Sequence, residues 1–263
     1  MKKSIILKSA LFITISSLFF SCSDDDNSTA TVSESATGAL ALTFDSTVGN
    51  TDFAINTPFS INGSSYSFDH LRYWVSNVQL INEDGVAYSV PQSYYLIEET
   101  GAVDIQDGTF TYPAKKRELV NINDIPAGHY TKIRFSVGVD SAYNDNMSLQ
   151  AGELSQLNGM TNISWMWHTS YIFSSLTGTD ASGNAIQVET GLNSNYRSIE
   201  LSLTDHIHIG QTAAEINLNV DVVKILQGLN LATTPVVSAS TPTEMTVVAD
   251  NFKNNVFTIK SVK

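Results

Sequence analysis

Residues 70–81 read His-Leu-Arg-Tyr-Trp-Val-Ser-Asn-Val-Gln-Leu-Ile, and residues 82–85, Asn-Glu-Asp-Gly, follow directly. The run is dense in β-branched and aromatic side chains, which suit a pleated, half-buried surface. The tetrapeptide after it supplies turn chemistry. The pair reads as a strand ending in a hairpin. Outward from it, the signature recurs. Residues 94–97 are a short apolar strand, and residues 129–139 (HYTKIRFSVGV) put Tyr130 and alternate residues on one face. Upstream, residues 40–44 (LALTF) alternate. Downstream, residues 163–176 form a long aromatic strand; Ile199, Leu201 and Leu203 alternate, as do Ile216, Leu218 and Val220; residues 257–262 close the chain. Period two places such residues on one face of a strand. Only residues 222–229 (VVKILQGL) look helical. Turn signals between the runs complete the pattern of an all-β fold: a single antiparallel β-sandwich-like domain with one short helix, over residues 38–263.

What precedes the domain reads differently. Met1-Lys2-Lys3 is a basic start, and residues 5–20 are mostly apolar but broken by Lys8 and hydroxyls. That run is too short for a comfortable membrane span and fits a secretory leader over residues 1–21. Phe19-Phe20-Ser21-Cys22 resembles a lipobox, with Phe19 bulkier than the usual leucine. Cys22 is the only cysteine, so the chain has no internal disulfide and Cys22 is expected to carry the lipid anchor. Residues 22–37 are polar and acidic and read as a tether, because they have too little apolar surface to offset their ordering entropy. Asp24-Asp25-Asp26 resembles the acidic export signal of Bacteroidetes surface lipoproteins, which implies an outer-membrane protein facing the cell surface; a periplasm-facing position is the alternative. Removing Lys2, Lys3 and Lys8 with the leader lowers the basic residues from 14 to 11 against 26 acids, a net charge of −15. Nucleic acid is excluded as a partner by that balance, and so is electrostatic docking on an anionic membrane. Membrane association is left to the lipid.

Four segments in order resemble the MbnP-like family of bacterial copper-binding lipoproteins. Residues 71–80 (LRYWVSNVQL) are similar to its "LRYYVSNVxL" strand. Residues 125–130 (IPAGHY) with 134–140 (RFSVGVD) are similar to "PxGxY…FxVGVD". Residues 158–173, with Gly159-Met160, Trp165, Trp167 and Tyr171, resemble "GMxWxWxxGYxF", and Leu176-Thr177-Gly178 matches the Leu-x-Gly that follows. Residues 219–225 (NVDVVKI) resemble "VDVxKI". The resemblance implies a β-sandwich-like domain, copper binding outside the cytoplasm and a di-haem peroxidase-type partner, which in some relatives oxidises a tryptophan that helps hold the metal. The chain also departs from the pattern. Where the family has "FxH" this chain has Phe44-Asp45-Ser46, and where it has "YHxG" this chain has Val188-Glu189-Thr190-Gly191. No family metal ligand therefore carries over.

Copper accepts imidazole and, as copper(II), carboxylate. With the single thiol assigned to the anchor, the five histidines are the candidate donors: His70, His129, His168, His206 and His208. His206 and His208 flank Ile207; on a strand they would share a face about 7 Å apart, with Asp205 or Glu215 adding oxygen. The competing reading is a solvated face opposite Ile207 and Ile209. His168 and His70 are further candidate ligands, against the plainer reading of hydrogen-bonded core histidines. His129, beside a Pro-Ala-Gly turn, is expected to face solvent. Trp74, Trp165 and Trp167 read as core or sugar-stacking residues. Residues 140–146 (DSAYNDN) are rich in oxygen but lack an EF-hand's Gly and Glu, so Asx turns are expected there. No nucleophile elbow, phosphate loop or HExxH helix is present, and Glu98 and Glu99 would point to opposite faces of a strand, so no enzyme is expected. The reading is a lipid-anchored extracytoplasmic copper-binding protein. A cell-surface binding or structural sandwich that has lost the metal, with a glycan as one possible ligand, is the alternative.

Overall fold

The computed structural model describes residues 36–105, 108–162 and 170–263. Its principal strands are β1 (Thr37–Val48), β2 (Ser64–Asn82), β3 (Tyr94–Thr100), β4 (Leu119–Pro126), β5 (Gly128–Val137), β6 (Ser170–Asp180), β7 (Ala185–Gly191), β8 (Arg197–Ile209), β9 (Ala214–Asp221) and β10 (Phe257–Val262). They form two packed sheets. The smaller runs β4-β1-β9-β10, and the larger runs β8-β5-β2-β6-β7, with β3 and shorter ribbons also paired to β2.

β2 is the spine of the larger sheet. On one edge its first half pairs with β6 and its second half with β5; on the other edge its middle pairs with β3. Residues 71–76 are buried without a break, because both faces of the sheet are covered there. Leu71, Tyr73 and Val75 enter the main core, whereas Trp74 enters a second apolar cluster on the other face. Beyond Asn77 the phase changes, and Val78 and Leu80 face the main core. A β-bulge is the cause. Residues 76–79 of β2 oppose residues 134–136 of β5, and Asn77 takes a φ of 53°. One extra residue shifts every later side chain to the other face. Asn77 Nδ2 holds the bulge by donating to Tyr196 Oη at 2.7 Å and Asp140 Oδ2 at 3.1 Å.

The smaller sheet alternates more simply. Leu40, Leu42 and Phe44 of β1 point inward, as do Ala214, Ile216, Leu218 and Val220 of β9. The sheets meet through rings. Phe44 makes edge contacts with Tyr73 at 6.3 Å and with Phe135 at 5.5 Å between centroids, and Phe135 meets Phe257 at 5.1 Å. Edge-to-face pairs of this kind add to the burial of their area.

The sandwich-like class holds, with local differences from the sequence expectation. β1 pairs with β9 in parallel, as does β7 with the short Val236–Val237, so the sheets are mixed. The expected helix at residues 222–229 is confined to α2 (Val222–Ile225), with Asp221 capping Val223 N. The described residues also include the α-helices α1 (Ser141–Asn144) and the longer α3 (Pro242–Asn251). β-Branched residues 246–248 hide α3 from a propensity reading, and burial of Met245, Val248 and Ala249 decides for the helix. The expected aromatic strand over residues 163–176 is seen from Ser170 onward; its first seven residues lie outside the described residues.

Candidate functional site

Three of the four described histidines are carried by the β5–β8 pair. His129 and His208 sit directly opposite one another across the antiparallel pair, both exposed, with ring centroids 4.7 Å apart. Their neighbours Tyr130 and Ile207 are also paired and are buried, so the alternation of both strands turns the two imidazoles outward. Ile209 is buried too, and His206 and His208 share the exposed face opposite these isoleucines. His206 does not reach towards His208. Its Nδ1 lies 3.0 Å from Oε1 of Glu83, in the turn that follows β2. The register explains the separation. Between Tyr130 and Lys132 the partner strand passes from Ile207 to Ser202, so β8 carries extra residues there and swings His206 towards the Glu83 turn.

Of the two carboxylates expected to add oxygen, Glu215 is tied to Lys263 at 3.1 Å. The carboxylate at the cluster is Glu83 instead, which the sequence presented only as part of a turn. A groove of about 500 Å³ opens beside it, lined in part by Glu83, Tyr88, Pro126 and His129.

His70 occupies a different setting, on the face of β2 shared with Arg72 and Trp74. Its Nε2 lies 2.9 Å from Ser175 Oγ, and its Nδ1 lies 3.1 Å from Thr177 Oγ1. Ser175 donates to Glu189 Oε1 at 3.0 Å. Burial pulls the His70 imidazole from 6.5 to about 4; Asp69, 3.5 Å from Nδ1, opposes the change and Arg72 adds to it. Burial also raises the Glu189 carboxyl above its usual range. Burial keeps His70 neutral; its Nε2–H can donate to Ser175 Oγ, whose own proton goes to Glu189, while Thr177 Oγ1, which donates to Asp69, lies beside the ring. The imidazole serves the sheet, and a metal would have to displace one of those bonds.

Beside it is a buried ion pair. Arg72 Nε donates to Glu98 Oε2 at 3.0 Å and Arg72 Nη2 donates to the Asn158 carbonyl at 2.6 Å, while Tyr112 Oη donates to Glu98 Oε1 at 2.6 Å. Glu99 turns elsewhere, to the Ile55 amide and Lys116, so the two glutamates do not act together.

The two positions where the family pattern has histidine lie in different sheets. Glu189 belongs to the His70 array. Ser46 is buried in β1, and its amide donates to Glu118 at 3.1 Å. Glu118, Asp45 and Asp52 offer oxygens within 4.8 Å of one another, but each already faces a lysine: Lys116 spans Asp52 and Glu118, and Lys260 pairs with Asp45. In residues 140–146, Asp140 caps α1 and accepts from Asn77 and Tyr94, and Asp145 accepts from Asn193. Trp74 is fully buried, edge-on to Tyr171 at 5.9 Å. His168, Trp165 and Trp167 lie outside the described residues, as does Cys22.

A family model described as MbnP matches residues 37–244. No curated protein matches the chain. Among solved structures, MbnP from Methylosinus trichosporium matches with 14% identity and a TM-score of 0.49, over 74% of this chain and 79% of that one. The family match takes in well over half of the 263 residues and every described strand except Phe257–Val262, and the chain belongs to the MbnP family.

Proposed function

We propose that this protein handles copper outside the cytoplasm while held to a membrane through lipid on Cys22. The observation that carries the reading is the opposition of His129 and His208 across β5 and β8, with His206, paired to Glu83, on the exposed face of the same strand pair. That donor set suits copper: imidazole binds either oxidation state and carboxylate suits the oxidised one. The fit is independent of the family's own histidine positions, which this chain does not keep. Family membership supports copper as the metal. The same edge lacks a nucleophile paired with a base, and binding without catalysis is the proposed activity. A di-haem peroxidase-type partner is proposed on the family resemblance alone. A glycan platform is the weaker reading, because Trp74, the one described tryptophan, has no exposed face for a sugar.

Titration of the full chain with copper(I) and copper(II), followed by desalting and metal analysis, tests the reading. About one retained copper per chain is expected for a site with convergent ligands. A chain that retains none in either oxidation state sinks it.

A further inference from the structure

We infer that the cross-strand pair His129 and His208, rather than the in-strand pair His206 and His208, forms a two-imidazole site for a borderline divalent cation of the copper(II) or zinc(II) class. The inference rests on the metal-handling reading for its physiological metal, and it adds the ligand pair and the class of ion.

Geometry decides between the pairs. A metal lies about 2.0–2.1 Å from an imidazole nitrogen, hence about 3 Å from the ring centre. Two rings sharing one ion therefore have centres no more than about 6 Å apart. His129 and His208 stand at 4.7 Å, inside that limit. Directly opposed residues start with Cβ atoms about 4.5–5.5 Å apart, whereas residues i and i+2 of one strand start about 7 Å apart. His206 is moreover turned to Glu83, with its Nδ1 already bonded.

A second observation concerns the room around His208. A Cβ on Gly210 would lie 3.0 Å from His208 Cε1 and 3.3 Å from Nδ1. The glycine thus leaves space for the ring where it packs towards His129. The site is also open. Both imidazoles are exposed, and the groove beside His129 gives access from solvent. Two protein ligands leave coordination positions free, the arrangement of a site that exchanges its metal or shares it with another ligand set, unlike a closed structural site. Thiolate is absent from the pair, which favours the divalent ions over copper(I).

The test uses the full chain in detergent and four proteins: wild type, His129→Ala, His208→Ala and His206→Ala. Copper(II) is titrated in and followed by electron paramagnetic resonance for coordinated nitrogen; zinc(II) is followed by calorimetry, and circular dichroism checks the fold. The wild type is expected to show two nitrogen ligands. Loss of an outer-shell partner alone costs a site roughly 10-fold or more in affinity, so loss of either ligand of the pair should cost at least that. His206→Ala should stay within about threefold of wild type, because an outlying imidazole falls short of even that outer-shell effect. A wild type that binds metal equally well after His129→Ala overturns the pair and leaves copper handling standing. Equal losses in His206→Ala and His208→Ala, with His129→Ala silent, overturn it in favour of the in-strand pair. A wild type that binds neither ion overturns both the pair and the function it rests on.

Discussion

At His70 the environment has changed the chemistry of one side chain. The imidazole lies against Ser175 and Thr177 on a largely covered face and takes up no second proton until the pH nears 4. The unfolded chain takes that proton near pH 6.5. Between these values the unfolded state binds more protons, so stability falls as pH drops through the window. The full effect is about 3 kcal/mol, from roughly 2.5 pH units at 1.36 kcal/mol each. The raised carboxyl of Glu189 works in the opposite sense, since its native form binds the proton more readily and gains as pH falls. Comparison with His70→Gln isolates the imidazole. Urea midpoints of the wild type should decline between pH 6.5 and 4.5, and those of His70→Gln should decline less. Parallel slopes would remove His70 as the cause. The residues themselves do not announce this role. His70 read as a candidate ligand because nothing in its neighbours reveals that two hydroxyls from β6 will face it.

At the scale of elements, close approach of backbones controls the larger sheet. Gly178 lies where β6 and β2 shift register, opposite Phe68. A Cβ there would come within 2.1 Å of the Ser67 carbonyl oxygen and 2.6 Å of Phe68 Cα. Both are backbone atoms, so relief requires the ladder to open. Gly178→Ala should cost about 3 kcal/mol, at the upper end of overpacking effects. Gly63→Ala is the control: its φ is +82° but nothing lies within 4 Å, and it should cost about 1–2 kcal/mol. Denaturant unfolding of the two variants measures the difference, and a loss at Gly178 no larger than that at Gly63 would show that the ladder accommodates the methyl group. The phase change of β2 belongs to the same scale, and here the sequence is legible. Leu71, Tyr73 and Val75 fall at odd numbers and Val78 and Leu80 at even ones, which is the trace of the bulge at Asn77. The pairing that accommodates it is not legible, because β5 supplies the opposing residues from 50 and more positions away.

For the whole molecule, the proposed anchor makes a separable prediction. Among the described residues no helix is long and apolar enough to cross a membrane, and the chain's net charge of −12 is unfavourable for an anionic surface. The proposed anchor would supply attachment through acyl chains, each buried CH₂ contributing about 0.8 kcal/mol. Cys22→Ala, expressed in a bacterial host, should move the protein from the detergent phase to the aqueous phase on phase partition, while the domain keeps its circular dichroism. Retention in the detergent phase would show a second membrane attachment. The same variant should bind copper as the wild type does, because the proposed ligands are imidazoles of the β5–β8 edge.

Eight of the ten principal strands and the sandwich-like class are legible in the sequence, because alternation depends on neighbours two positions apart and survives any arrangement of the sheets; β4 and β7 emerge only in the fold. Runs such as residues 40–44 and 214–220 state their buried faces outright. Tertiary structure decided which imidazoles meet. His206 and His208 are neighbours in sequence and part company, whereas His129 and His208 belong to different strands and come face to face. That outcome depends on the register of β5 against β8 and on the extra residues between Ser202 and Ile207. Register is set by the sum of core contacts along both strands, and no local pattern around a histidine carries that sum.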